Sequence, residues 1–305
     1  MLTNLRVYVF LLCILPLAAA AQKKTVEFAR YNDSTILKMD IYTPSVKSGA
    51  PRTCILFIFG GAFAYGSRDY EGYLPYFKFL SDKGYVVASI DYRLGMKGAK
   101  KLPSLFNRKP LIHSIEMAVE DAYAATNYLV KHAGELDLDT GKVIISGASS
   151  GGITALQADY ERRNGMERSH VLPGDFEYAG VISFAGAIYS KKGRPAYKIP
   201  PAPILLFHGD ADKIVPYNKI SLFGTGLFGS RSIASGLSKD RHPYCFYTMV
   251  GIGHDVALYP MLDYQPSIDN FIREYIIDKR PIYVEVRIRD DRRVNNTLSL
   301  KDAYK

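Results

Sequence analysis

Short apolar runs alternate along the chain with longer segments whose apolar residues recur at the spacing of an α-helix. The runs predict eight strands, at residues 25–29, 36–43, 53–59, 85–90, 142–146, 178–184, 202–207 and 244–250. The helical spacing predicts helices at residues 70–83, 114–132, 153–162 and 262–277. Most of these strands are apolar throughout, as strands buried on both faces are. The order of elements therefore predicts an α/β fold on a mostly parallel sheet, with helices on both faces.

The N-terminus departs from this pattern. Arg6 precedes an apolar stretch from Val7 to Leu17, and the alanines Ala18–Ala21 follow it. This order is typical of a secretory signal peptide, so we expect residues 1–21 to be removed and the protein to be exported, to the periplasm or beyond. An uncleaved membrane anchor is the alternative.

The C-terminus departs from it as well. Residues 282–289 alternate between apolar and polar side chains, which is typical of a half-buried strand. We expect residues 281–305 to form an extension that ends in a polar tail. Its strand either extends the sheet or contacts a partner chain.

Composition narrows the function classes. The chain has 305 residues, 48% of them hydrophobic, and a formal net charge of +9. The positive charge is scattered except between residues 97 and 109, and no nucleic-acid-binding motif accompanies it, so we expect no nucleic-acid partner. That cluster is interpreted as a solvated loop, with contact to an anionic substrate as the alternative. Cys54 and Cys245 lie in apolar runs, which predicts buried free thiols. Nothing in these patterns specifies an oligomeric state.

The segment Gly147-Ala148-Ser149-Ser150-Gly151 fits the pattern G-x-S-x-G between a predicted strand and a predicted helix. At such a turn the central serine is strained and its hydroxyl is exposed, and only very small residues fit two positions before and after it. Ser149 is therefore the candidate nucleophile, and Ser150 is not. A tight turn without chemistry is the alternative interpretation.

A serine hydroxyl needs a base to take its proton and an acid to orient that base. Among six histidines, His254 follows the last buried strand in a glycine-flanked loop that can reach the carboxyl edge of the sheet. His208 lies within the end of a strand and is interpreted as structural. Asp210 and Asp212 both follow that strand and offer a carboxylate for the acid. A turn aspartate that caps the next helix is the alternative, and it suits Asp210 better than Asp212.

The oxyanion requires a pair of N–H donors. One is expected from Ser150, directly after the nucleophile. The other is expected from the loop Phe59-Gly60-Gly61-Ala62-Phe63, where glycines allow the backbone to face a substrate.

Taken together, these segments resemble the α/β-hydrolase superfamily, in particular its exported bacterial esterases and lipases, which include acetyl and feruloyl esterases. The landmarks, in family order, are FGGAF at 59–63, DYRL at 91–94, the helix with Glu120-Asp121-Ala122, GASSGG at 147–152, HGDADKIVP at 208–216 and GIGHD at 251–255. The resemblance implies an α/β-hydrolase fold of about eight strands in a catalytic domain at residues 22–280. It implies Asp212 as the acid, His254 as the base, and Gly61, Ala62 and Ser150 as backbone oxyanion donors.

The oxyanion loop departs from the family at two positions. The oxyanion loop commonly begins with histidine, whereas Phe59 occupies that position and Ala62 replaces a glycine. The departure affects the expected conformation of the loop, while the triad is unaffected.

The expected function is a serine carboxylic-ester hydrolase that needs no metal or organic cofactor. Its substrates would be short-acyl esters, including acetylated or feruloylated carbohydrates. A peptidase with the same triad and a catalytically silent binding protein are the alternatives, because fold alone does not fix function. We expect the long connections at residues 95–111, 187–201 and 222–241 to line the pocket. Glycines interrupt residues 222–241, so that segment is a poor candidate for a lipase lid.

Overall fold

The computed structural model describes residues 22–32, 34–45, 48–99, 103 and 107–293. The predicted signal peptide at residues 1–21 and the polar tail from residue 294 lie outside these residues.

A mixed sheet of nine strands forms the centre of the fold, one strand more than the sequence predicts. In chain order these strands are β1 (Gln22–Asn32), β2 (Thr35–Thr43), β3 (Arg52–Ile58), β4 (Val86–Ile90), β5 (Leu138–Ala148), β6 (Gly180–Phe184), β8 (Ile204–Gly209), β11 (Tyr244–Met249) and β12 (Tyr283–Ile288). Their spatial order is β1-β2-β4-β3-β5-β6-β8-β11-β12, and β2 alone runs antiparallel to its two neighbours. The prediction of a mostly parallel sheet is confirmed.

The additional strand is β12, which pairs in parallel with β11. Its side chains alternate between exposed and partly buried positions, as its sequence predicts. The C-terminal extension therefore extends the sheet and forms its edge.

A small sheet of three antiparallel strands was not expected from the sequence. It consists of β7 (Ala187–Ser190), β9 (Lys219–Leu222) and β10 (Thr225–Gly229), in the order β7-β10-β9. The strands are only four or five residues long, and β10 contains two glycines, so they carry too few alternating positions to be recognised as strands. Residues 222–241, considered above as a lid, instead form part of this sheet and the helix that follows.

Prolines set several helix boundaries. The helices are α1 (Leu74–Asp82), α2 (Lys109–Lys131), α3 (Ala133–Leu136), α4 (Ser150–Arg163), α5 (Ser230–Lys239), α6 (Pro260–Asp263) and α7 (Gln265–Phe271), the last continuing as a π-helix at Ile272–Ile277. The single helix predicted at residues 262–277 is wrong, because Pro266 lacks an N–H and starts a new helix. Pro110 likewise lies in the first turn of α2, which begins five residues before the predicted start at residue 114.

The core lies on both faces of the sheet, and β3, β4, β6 and β8 are buried along their whole length. Cys54 and Cys245 are free and buried, as predicted. Within the described residues, no helix has both the length and the hydropathy required to cross a bilayer.

Candidate active site

Ser149 lies between the end of β5 and the start of α4, in the sharp turn that its sequence predicts. Its backbone is strained, with φ 53° and ψ −117°. A Cβ atom added to Gly147 would lie 2.3 Å from the carbonyl of Gly151, and one added to Gly151 would lie 2.0 Å from the carbonyl oxygen of Ile58. Side chains at either position would therefore collide with backbone, so both glycines are required for this turn.

Three side chains from distant parts of the chain meet at this turn. Ser149 Oγ lies 2.7 Å from His254 Nε2, and His254 Nδ1 lies 2.7 Å from Asp212 Oδ2. A carboxylate only accepts hydrogen bonds, so His254 Nδ1 carries a proton and Nε2 accepts the hydroxyl of Ser149. The imidazole is thus oriented to take the serine proton.

Asp212 is held by more than His254. Its second oxygen, Oδ1, accepts hydrogen bonds from the backbone N–H groups of Ile214 (2.8 Å) and Val215 (3.0 Å). Burial by itself would raise the pKa of Asp212, but contacts with His208 and His254 outweigh it and lower the pKa below its usual value. The carboxylate therefore remains ionised next to the histidine.

Asp210, the other candidate acid, has different partners. Its Oδ1 accepts the backbone N–H of Gly251 at 2.7 Å, and its Oδ2 lies 3.1 Å from Arg287 Nη2 on β12. Asp210 therefore connects the loop that carries His254 to the edge strand, and Asp212 is the carboxylate that contacts the imidazole.

The loop that follows β3, which the sequence predicts to donate N–H groups to the oxyanion, has an unusual backbone conformation. Gly61 and Ala62 both have positive φ, at 139° and 53°. A Cβ atom at Gly61 would lie 1.9 Å from the carbonyl oxygen of Tyr65, so only glycine fits there. The ring of Phe59 is buried and packs 4.5 Å, centroid to centroid, from the ring of Tyr92. Phe59 therefore supports the loop through packing at the position where the family commonly has histidine.

Ser150 is distinguished from Ser149 by its surroundings. Its side chain is buried, and its Oγ lies 3.1 Å from the hydroxyl of Tyr92. As the first residue of α4, Ser150 has a backbone N–H at the helix N-terminus, where donors lack intrahelical partners.

A cavity of about 440 Å³ opens at Ser149 and His254. Its other walls include Tyr65, Tyr70 and Tyr73, together with further residues of the oxyanion loop, Ile214, Ala257 and Leu258. The expectation that residues 95–111, 187–201 and 222–241 line it is wrong for the described residues. The tyrosines were not expected, although their clustering directly after the oxyanion loop was a visible signal.

A larger cavity of about 620 Å³ lies at the other edge of the sheet, where Ala179, Pro203 and Pro281 each precede a strand. It contains none of the predicted site residues. In α/β folds ligands bind at the carboxyl ends of the strands, which is the edge that carries Ser149.

Solved structures with this architecture cover most of the chain. Esterase 2 from the planctomycete Thermogutta terrifontis aligns with a TM-score of 0.60 at 23% identity, over 85% of this chain and 94% of that one. Its propionate-bound form aligns with a TM-score of 0.61. The esterase Est22 aligns with a TM-score of 0.57 at 18% identity, over 84% of this chain and 81% of the other.

The protein has the α/β-hydrolase fold. The BD-FAE family model matches residues 39–189 of the chain, a segment from β2 through the nucleophile turn to β7. Two characterised relatives align over a similar length. Esterase LipI of Mycobacterium tuberculosis is 28% identical over 115 residues, and fumonisin B1 esterase of Sphingopyxis macrogoltabida is 30% identical over 119. These segments make up 37% and 38% of this chain but only 31% and 21% of the two relatives.

Proposed function

We propose that the protein is a serine carboxylic-ester hydrolase that works through an acyl-enzyme. The observation that carries this proposal is the continuous set of contacts from Ser149 through His254 to Asp212, with 2.7 Å at each step, on a strained turn at the floor of a cavity. The two relatives named as esterases support the same chemistry.

In the proposed reaction, Ser149 Oγ attacks the acyl carbonyl while its proton passes to His254 Nε2. Asp212 accepts a hydrogen bond from Nδ1–H of His254 and, as a carboxylate, stabilises the imidazolium that forms. The backbone N–H groups of Gly61, Ala62 and Ser150 bind the oxyanion. His254 then returns the proton to the leaving alcohol, and a water molecule activated by the same imidazole hydrolyses the acyl-enzyme.

We propose short-acyl esters as substrates, including acetylated or feruloylated carbohydrates. The tyrosines of the cavity support this choice, because each combines a flat apolar face with a polar hydroxyl. Such a side chain can pack against a sugar ring or against the aromatic ring of a feruloyl group. The related esterase 2 has been solved with propionate and with butyrate bound, which supports a short acyl group.

A fluorophosphonate probe tests the nucleophile directly. Peptide mapping should locate the label on Ser149, and Ser149→Ala should lower the rate on nitrophenyl acetate by about six orders of magnitude. Ser150→Ala is the matched control and should keep most of the activity, because Ser150 contributes only its backbone. A label on Ser150 would contradict the assignment of Ser149 as the nucleophile. No label on either serine would contradict the proposal and favour a catalytically silent binding protein.

We also propose export, with removal of residues 1–21. The support is the order of a positive residue, an apolar stretch and small residues at the N-terminus. Sequencing the N-terminus of protein made in its own host should give a start near Gln22. Protein that retains Met1 in the cytoplasm would refute it.

A further inference from the structure

The cavity at Ser149 is the first of three neighbouring cavities. Ile214 lines both this cavity and a second, apolar one of about 140 Å³. Ile112, Ile115 and Tyr189 line the second cavity and also a third, of about 450 Å³. Because successive cavities share lining side chains, the three lie next to one another, with the second between the cavity at Ser149 and the third.

The third cavity is cationic. Lys191, Lys192, Arg194 and Lys198 line it, and all four are exposed. None of them forms an ion pair with another described residue, whereas most arginines near the active site do. Four uncompensated positive charges around one cavity create a potential that attracts an anion.

The two acidic residues of the same cavity share one arginine, Arg168, so they are only partly neutralised and the lining as a whole stays positively charged. Glu161 is buried, and its carboxylate lies 2.9 Å from Arg168 Nη2 and 3.0 Å from Gln157 Nε2. Arg168 also lies 3.5 Å from Glu116. The two carboxylates thus have their partners within the protein. The four exposed cations have no ion-pair partner among the described residues and are available to bind a ligand.

An exposed aromatic side chain adjoins these cations. Phe223, at the tip of the β9–β10 hairpin, is 96% exposed and has φ 48°, a conformation that bulky residues rarely adopt. The next residue, Gly224, accepts a 2.7 Å hydrogen bond from the N–H of Gly193, which lies between the cations Lys192 and Arg194. Positive φ at Phe223 and Gly224 is what a two-residue hairpin turn requires. The exposure of the ring is not required by that turn, and it leaves an apolar face available beside the cations.

We propose that the cationic cavity binds the uronic acid groups of an acidic oligosaccharide whose ester is held at Ser149. The carboxylates would pair with Lys191, Lys192, Arg194 and Lys198, and the ring of Phe223 would pack against the apolar face of a sugar. This substrate class rests on the proposed esterase function. A recess in the same row of cavities as the nucleophile favours an oligosaccharide over a membrane, whose surface requires an apolar and cationic face rather than a recess.

Binding to the Ser149→Ala protein tests the proposal without requiring turnover. Calorimetry would compare xylotetraose with xylotetraose that carries a glucuronic acid group. The acidic sugar should bind about tenfold more tightly, and the difference should shrink as salt screens the charges. Lys191→Gln/Lys192→Gln should remove most of the difference. Lys24→Gln/Lys131→Gln lowers the net charge equally at distant surface positions and should retain it.

Phe223→Asn separates the aromatic contact from the charge. Asparagine tolerates positive φ, so the hairpin should be kept while the ring is lost. Binding of both sugars should weaken several-fold, and the preference for the acidic sugar should remain.

Equal affinity for the two sugars, or a preference that survives Lys191→Gln/Lys192→Gln, would overturn the proposal. So would binding to vesicles of phosphatidylglycerol without binding to either sugar, which would identify a membrane-contacting surface instead. Failure of the esterase function is detected separately, as absence of fluorophosphonate labelling at Ser149.

Discussion

Nε2 of His208 lies 3.3 Å from Asp212 Oδ2, the same oxygen that His254 Nδ1 contacts at 2.7 Å. The imidazole of His208 is fully buried at the end of β8. Its Nε2 also lies 3.3 Å from the carbonyl oxygen of Val215, and its Nδ1 lies 2.8 Å from Ser230 Oγ. Because both neighbours of Nε2 are acceptors, Nε2 carries the proton and Nδ1 accepts the hydroxyl of Ser230. His208, interpreted from the sequence as structural, therefore helps to position the acid.

We predict that His208→Leu lowers kcat for nitrophenyl acetate by about tenfold with little change in KM, because the carboxylate loses a polar neighbour that fixes its orientation. His208→Gln can still donate a hydrogen bond and should recover much of the loss. Thermal unfolding of both variants is the control for folding. Equal kcat values for the two variants at equal Tm would mean that His208 acts only through packing.

Substitution of Asp212 should lower kcat far more than substitution of Asp210, although both residues follow β8. Asp212→Asn should reduce kcat by about ten-thousand-fold, since an amide no longer holds His254 in the tautomer that accepts the serine proton. Asp210→Asn should cost far less, because Asp210 contacts Gly251 and Arg287 instead. Steady-state kinetics on one ester decides the matter, and a larger loss for Asp210→Asn would show that the acid is wrongly assigned.

Asp159 should make stability depend on pH. It is fully buried in α4, 3.1 Å from Arg163 Nε, and burial raises its pKa to about 6. A carboxyl group whose folded pKa exceeds its unfolded pKa favours the folded state at low pH, and this contribution is lost as pH rises through the folded value. From pH 5 to 7.5 the wild-type protein should lose about 1 kcal/mol of unfolding free energy from this group.

Urea unfolding at the two pH values measures this loss. Asp159→Asn should remove it, because the amide does not titrate, whereas the exposed Asp240→Asn should leave it in place. An unchanged pH dependence in Asp159→Asn would contradict the assignment.

Acyl-chain length should have a low optimum. The cavity at Ser149, about 440 Å³ with tyrosines in its walls, has to hold both sides of the ester. A long apolar slot would add about 0.8 kcal/mol of binding per methylene, and the residues around Ser149 do not form one. Because Ile214 separates the cavity at Ser149 from the neighbouring apolar cavity, we predict the highest kcat/KM for acetyl to butyryl esters and a fall by octanoyl, measured on a nitrophenyl ester series. A steady rise to dodecanoyl would favour a lipase.

The sequence by itself determined the nucleophile turn and the order of the main elements. At Gly147, Ser149 and Gly151 the constraint is local, because the atoms that would collide lie within four residues of one another or on the adjacent strand. The apolar runs were sufficient to predict the mostly parallel sheet, because a strand that is buried on both faces requires an apolar residue at nearly every position. The boundaries were less well determined, above all at Pro110 and Pro266, and the small sheet and helix α5 were not predicted.

The tertiary structure alone decided which side chains meet. His254 is separated by 42 residues from Asp212 and by 105 from Ser149, and no local pattern specifies contacts at such distances. From the residues without the family resemblance, both Asp210 and Asp212 were candidates for the acid, with Asp210 the more plausible helix cap. Only the strand order distinguishes them, because it places Asp212 beside the imidazole of His254 and Asp210 beside Arg287 on β12. The same is true of the cavity walls and of the contact between His208 and Asp212. Both depend on how elements that are far apart in sequence pack together, and the local periodicity of the sequence does not specify this.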